Sequence, residues 1–189
     1  IVVRLKDNAD IEILVERASG VVLTPEGLVL TAAHIFDDDS YRVCTAASGS
    51  DSGLRCQIEF YPRGDVRRMA YAHIASERSA THDYILLQLP SALDAIDRPT
   101  WPYAFVGQTT PRGGDALYAA GNAGETQLQS GGSNLVSVVP GVMSSASAQA
   151  CTEGDGWGVS SSMSGRTAPG FSGGPVFDAR RRVVGLILG

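Results

Sequence analysis

The chain has 189 residues, of which 43% are hydrophobic and 19% charged, with 22 glycines. That composition supplies a buried core and many turns, and it excludes a disordered chain. A net charge of -5 repels phosphate backbones and argues against a nucleic-acid partner, and no apolar run approaches the ~20 residues that span a bilayer.

In chain order, short apolar runs alternate with turn signals. The first residues read as an ordinary strand. Ile11–Val15, Val21–Leu23 and Leu28–Leu30 follow, and Thr24-Pro25-Glu26-Gly27 forms a tight hairpin turn between the last two. A short helical turn is expected after His34. Ile58–Tyr61 is a further apolar run, and Tyr41–Thr45 and Leu54–Phe60 read as a hairpin about the polar loop 47–53. In that pairing Cys44 and Cys56 face each other if the register allows, which leaves Cys151 free. Tyr84–Leu89 is an almost wholly apolar strand, and Ser91–Ile96 reads as a second helical turn. Pro90, Pro99 and Pro102 mark the stretch from Pro90 to Tyr103 as a linker. Beyond it Ala116–Ala120, Leu135–Val139 and Val183–Leu188 are further strands, with serine-rich loops from Ser144 to Ser164 and Arg180-Arg181-Arg182 on a solvated turn. Many short, β-branched strands at this spacing predict an all-β barrel or sandwich.

Gly170-Phe171-Ser172-Gly173-Gly174-Pro175 carries the sharpest chemical signal. Flanking glycines let the backbone turn tightly, so that two N–H groups converge on one point, as an oxyanion requires. The N–H groups of Gly170 and Ser172 are the candidates; the competing reading is a Gly-rich turn with an incidental serine. His34 follows an apolar strand and two small residues in Leu30-Thr31-Ala32-Ala33-His34. Its plain alternative is a satisfied core histidine. Asp83 opens the Tyr84–Leu89 strand, where an acid is costly to bury without a partner; its alternative is a turn residue capping the preceding loop. The hexapeptide also fits the G-x-S-x-G elbow of α/β-hydrolases, but there the histidine follows the nucleophile, whereas His34, His73 and His82 all precede Ser172. The order His, Asp, Ser is the chymotrypsin order.

Those three segments together resemble the signatures of the trypsin-like serine proteases. Ser19-Gly20-Val21-Val22-Leu23-Thr24-Pro25-Glu26-Gly27, Tyr118-Ala119-Ala120-Gly121-Asn122 and Gly141-Val142-Met143-Ser144 are similar to the bacterial branch that includes the high-temperature-requirement proteases. The resemblance implies two antiparallel six-stranded-type β-barrels, residues 1–104 and 105–189, with the site in the cleft between them. It implies a catalytic triad of His34, Asp83 and Ser172, an oxyanion hole from the Gly170 and Ser172 N–H groups, a protein or peptide substrate, and no metal or organic cofactor. Export to a secreted or periplasmic location is expected, without excluding the cytoplasm. No signal peptide is visible, which fits a mature, a trimmed or a cytoplasmic chain.

The sequence departs from the family in three places. Phe171 stands where the digestive members carry the acid that pairs with a new Ile-Val terminus, so Ile1-Val2 is not expected to activate the site. Arg166 stands where trypsin carries its specificity acid, and Thr167 resembles a threonine of glutamyl endopeptidases whose partner histidine is missing here. The family continues beyond the strand that ends at Leu188 with a hairpin and a helix, so the C-terminal end reads as incomplete. Two other activities fit the same residues: a catalytically silent fold that binds protein, and an esterase.

Overall fold

The computed structural model describes residues 1–46, 53–62, 68–79, 82–91, 100–122, 136–143, 159–160 and 170–188. It contains two antiparallel sheets. The first runs β2-β1-β5-β6-β7-β4-β3, from β1 (Val2–Lys6), β2 (Glu12–Arg17), β3 (Val21–Val22), β4 (Leu28–Ala32), β5 (Arg55–Phe60), β6 (Ala70–Ile74) and β7 (Tyr84–Gln88). The second runs β10-β9-β8-β11-β12, from β8 (Ala116–Gly121), β9 (Ser137–Met143), β10 (Val159–Ser160), β11 (Pro175–Asp178) and β12 (Val183–Leu186).

Each sheet has its own apolar cluster. Val3, Val29, Phe36, Ile58, Ile85, Leu87 and Trp101 lie under the first, and Leu117, Met143 and Val176 under the second. Their alternation along the strands follows from the two-residue repeat of extended backbone. Trp101, inside the stretch read as a linker, is anchored in the first core. Its indole N–H donates to the Pro90 carbonyl at 2.9 Å and its ring meets Phe60 edge-on. Among the buried polar groups, Glu59 accepts from Arg4 Nε at 2.9 Å and from the Tyr61 hydroxyl at 2.7 Å. Burial and the Glu59 carboxylate push Tyr61 up to about 12.

The hairpin turn at Thr24–Gly27 forms as expected: Gly27 takes a φ of +92°, and its N–H donates to the Thr24 carbonyl at 3.0 Å. The turn at Arg180–Arg182 also forms, with the Asp178 carboxylate accepting from the Arg180 and Arg182 N–H groups. The segment Tyr41–Thr45 is not a strand. It is the second half of a helix, α1 (Asp38–Thr45), capped by Asp37, whose Oδ1 accepts from the Ser40 N–H at 2.6 Å. The cysteines nevertheless meet, because α1 packs on β5: Cys44 and Cys56 form a disulfide with a Cα–Cα separation of 5.0 Å. Titration of the denatured, unreduced protein is expected to find one free thiol, Cys151, and three after reduction; three before reduction would refute the bridge. Cys151, Arg166, Thr167, most of the serine-rich stretch and nearly all of the helical turn expected at Ser91–Ile96 lie outside the described residues.

Candidate active site

Strand register brings His34 to Asp83. β4 and β7 pair antiparallel with Thr31 opposite Ile85 and Ala32 opposite Tyr84. One step further, the Ala33 N–H donates to the Asp83 carbonyl at 3.0 Å. There β4 ends in a 3-10 turn, Ala33–Ile35, whose middle residue is His34. The Asp83 carboxylate meets His34 twice: Oδ1 accepts from the His34 backbone N–H at 2.8 Å, and Oδ2 lies 2.6 Å from Nδ1. This pairing fixes both where the ring sits and which ring nitrogen faces the acid. The His34 side chain is 41% exposed and that of Asp83 24%. The acid is therefore partly buried. Asp83 adopts a φ of +47°, a left-handed conformation uncommon outside glycine and best tolerated by Asn and Asp. Ala32 and Ala33 are both buried, consistent with close packing beneath the ring.

Ser172 sits in the turn that precedes β11. Gly170 and Gly173, on either side, take φ values of +99° and +78°. The turn is tied to the end of the chain's second sheet: the Gly173 N–H donates to the Ile187 carbonyl at 2.7 Å, and the Ile187 N–H to the Gly174 carbonyl at 2.8 Å. It also lies directly on the strand that leads to His34. A Cβ added to Gly173 would come within 2.3 Å of Thr31 Oγ1, 2.5 Å of the Ser19 carbonyl oxygen and 2.6 Å of the Ala32 nitrogen. The backbone of the serine turn thus touches β4 two residues before His34. Among the described residues no hydrogen bond joins the Ser172 hydroxyl to His34, and the Gly170 and Ser172 N–H groups donate to no carbonyl.

The residue that sequence reasoning missed is Ser19, which joins the two sheets. Its N–H donates to the Ser172 carbonyl at 2.8 Å, and its hydroxyl donates to the Gly170 carbonyl at 2.7 Å and accepts from the Asn122 N–H at 2.9 Å. Its own carbonyl accepts from the Thr31 hydroxyl at 2.7 Å. Ser19 is buried, so each of these groups would be costly to leave unpaired. The only sequence signal was a Ser-Gly pair just ahead of an apolar strand. Ser19→Ala is expected to lower stability by about 1–3 kcal/mol in denaturant titration, because the hydroxyl's bonds to the Gly170 carbonyl and from the Asn122 N–H are lost together.

Phe171 is buried and its ring lies against Gly121, where an added Cβ would come within 2.5 Å of it. The Ile1 nitrogen donates to the Ala18 carbonyl at 2.8 Å. Of the other histidines, His73 is exposed on β6, and His82 stands in the turn before Asp83, its N–H donating to Ser79 Oγ. Among the described residues no cluster of His, Cys, Asp or Glu is placed to hold a metal ion, and no helix is long and apolar enough to cross a membrane.

No curated protein sequence matches the chain. Solved structures match in fold. The serine endoprotease from Yersinia pestis superposes with a TM-score of 0.58 at 19% identity, over 99% of this chain and 53% of its own. Deg5 gives a TM-score of 0.61 at 17% identity, over 100% of this chain and 78% of its own. AlgW, an HtrA-type protease solved with a tripeptide, gives 0.62 at 20% identity, over 98% of this chain and 49% of its own. The chain therefore spans about half the length of two of these three. The model of the trypsin-like peptidase domain matches residues 18–186, from the Ala18-Ser19 bridge through β12, and on that match the chain belongs to the trypsin-like peptidase family.

Proposed function

We propose that the chain is a serine endopeptidase acting through an acyl-enzyme on Ser172. The observation that carries this reading is the seating of the Gly170–Gly174 turn on the end of β4, immediately before a histidine already held by a carboxylate. His34 takes the proton from the Ser172 hydroxyl as it attacks a peptide carbonyl. Asp83 holds Nδ1–H toward itself, so that Nε2 carries the lone pair, and it stabilises the imidazolium that forms. The Gly170 and Ser172 N–H groups receive the oxyanion. His34 then protonates the leaving amine, and water releases the acyl group in a second round. Bonds between nucleophile and base are often long before substrate arrives and tighten with it.

On this reading the two sheets are the two barrels of the fold, divided near residue 104, and the substrate lies between them. The Cys44–Cys56 bridge favours an oxidising compartment, in line with a secreted or periplasmic location. A fluorophosphonate probe tests the reading. It should label Ser172 in the parent chain, fail with Ser172→Ala, and label His34→Ala far more slowly. A folded chain that resists the probe would instead be a silent, protein-binding member of the family. Turnover of an ester without the matching amide would make it an esterase.

A further inference from the structure

We propose that Arg78 is a positioning residue, clamping the segment that follows His34 to the segment that leads into Asp83. This rests on the peptidase reading above. Asp83 is held in a left-handed backbone conformation, which persists only where the surroundings over-determine it. Part of that constraint comes from the loop before it. The Ala75 N–H donates to the Leu86 carbonyl at 2.8 Å, the Leu86 N–H to Ser76 Oγ at 3.1 Å, and the Ser79 N–H to the Tyr84 carbonyl at 2.9 Å. Arg78 thus stands between two points at which the loop is fastened to β7.

From there its side chain crosses to the other partner. Nη1 donates to the Phe36 carbonyl at 3.5 Å, and Nη2 pairs with the Asp38 carboxylate. The guanidinium lies over the Tyr41 ring at 5.1 Å, and the Arg78 backbone N–H donates to the Tyr41 hydroxyl at 3.3 Å. Phe36 closes the 3-10 turn that presents His34, its N–H donating to the Ala33 carbonyl at 3.0 Å. One side chain therefore bears on the turn of the base and on the approach to the acid. A planar fork with a stackable face makes these contacts together; an ammonium makes one at a time.

The contacts lie near the surface, with the Arg78 side chain 38% and that of Asp38 86% exposed. Exposed ion pairs contribute little to stability. Catalysis is far more sensitive to alignment than folding is, so the clamp should register in rate and hardly in unfolding.

The test is saturation labelling of Arg78→Ala and Arg78→Lys with the fluorophosphonate, separating maximal rate from half-saturating concentration. The downfield proton resonance of the His34 Nδ1–H bond is followed in parallel. Arg78→Ala should lower the maximal rate about tenfold, leave half-saturation and thermal unfolding near the parent values, and broaden the downfield resonance. Arg78→Lys should restore only part of the rate. Parent rate and parent resonance in folded Arg78→Ala would overturn the proposal. If Arg78→Ala does not fold, Tyr41→Phe and Asp38→Asn each remove one contact, and parent labelling rates in both would overturn it equally. A parent chain that never labels at Ser172 removes the peptidase reading and the Arg78 proposal together. A labelling parent with an unaffected Arg78→Ala removes the Arg78 proposal alone.

Discussion

Asp83→Asn is expected to remove nearly all activity while leaving the fold intact. The argument starts from the two contacts of the carboxylate. Oδ1 accepts from the His34 backbone N–H, and Oδ2 from the ring at Nδ1. An asparagine must keep an oxygen toward the backbone N–H, since an amide NH₂ there would set donor against donor. Its NH₂ then faces Nδ1 and donates to it. The ring is driven into the tautomer that carries its proton on Nε2, which cannot accept a proton from Ser172. The expected loss in kcat is about 10⁴-fold, the magnitude characteristic of this clan rather than one obtained from this geometry. Asparagine tolerates positive φ about as well as aspartate, so the +47° backbone does not penalise the variant. Thermal unfolding and probe rate measured on the same sample check this. An active Asp83→Asn, or one that unfolds as its activity falls, would contradict the assignment of Asp83 as the residue that sets the tautomer.

The three residues of the proposed triad stand out in the sequence because each sits in a local setting that chemistry makes conspicuous. Two alanines under an imidazole, an acid at the mouth of an apolar strand and a serine among glycines are all visible one residue at a time. Ser19 was not, because its role lies in four hydrogen bonds to residues from Thr31 to Ser172. Nor does sequence reveal that Asp83 takes positive φ, or that Arg78 reaches Phe36. The helix α1 was misread for a different reason. Tyr41-Arg42-Val43 favours a strand by composition, and that preference outweighed a legible cap, the Asp37-Asp38-Asp39-Ser40 run that starts the helix. The Cys44–Cys56 bridge emerged from the wrong local structure, since a helix packed across β5 brings the two sulfurs as close as a hairpin would. β6 and β11 were passed over because neither reads as an apolar run: β6 mixes His73 into its alternation, and β11 begins at Pro175, which reads as a turn residue until its strand is seen.

Gly173→Ala should be among the most damaging single substitutions in the chain, in both folding and labelling. The glycine has a φ of +78°, where an L side chain is strained. Its missing Cβ is also the space into which Thr31 Oγ1, the Ser19 carbonyl and the Ala32 nitrogen pack, at 2.3, 2.5 and 2.6 Å. Two of these three atoms are backbone, and the third belongs to a fully buried threonine, so none can swing aside as a flexible side-chain end would. Strain and overpacking add, at about 1–3 kcal/mol each, so a loss of about 2–6 kcal/mol is expected in denaturant titration. Relief comes only by lifting the serine turn off β4, and on the proposed mechanism that motion carries the Ser172 hydroxyl away from its base. Labelling at Ser172 should therefore fall well below the parent rate even under conditions where the variant remains folded. The same substitution at Gly114, which also has positive φ but no neighbour within 4 Å of the added carbon, should cost stability through backbone strain alone and leave labelling untouched. The contrast between the two isolates the contact from the conformation. Parent-like labelling in a folded Gly173→Ala would mean that the proposed approach of Ser172 to His34 does not depend on the seat on β4.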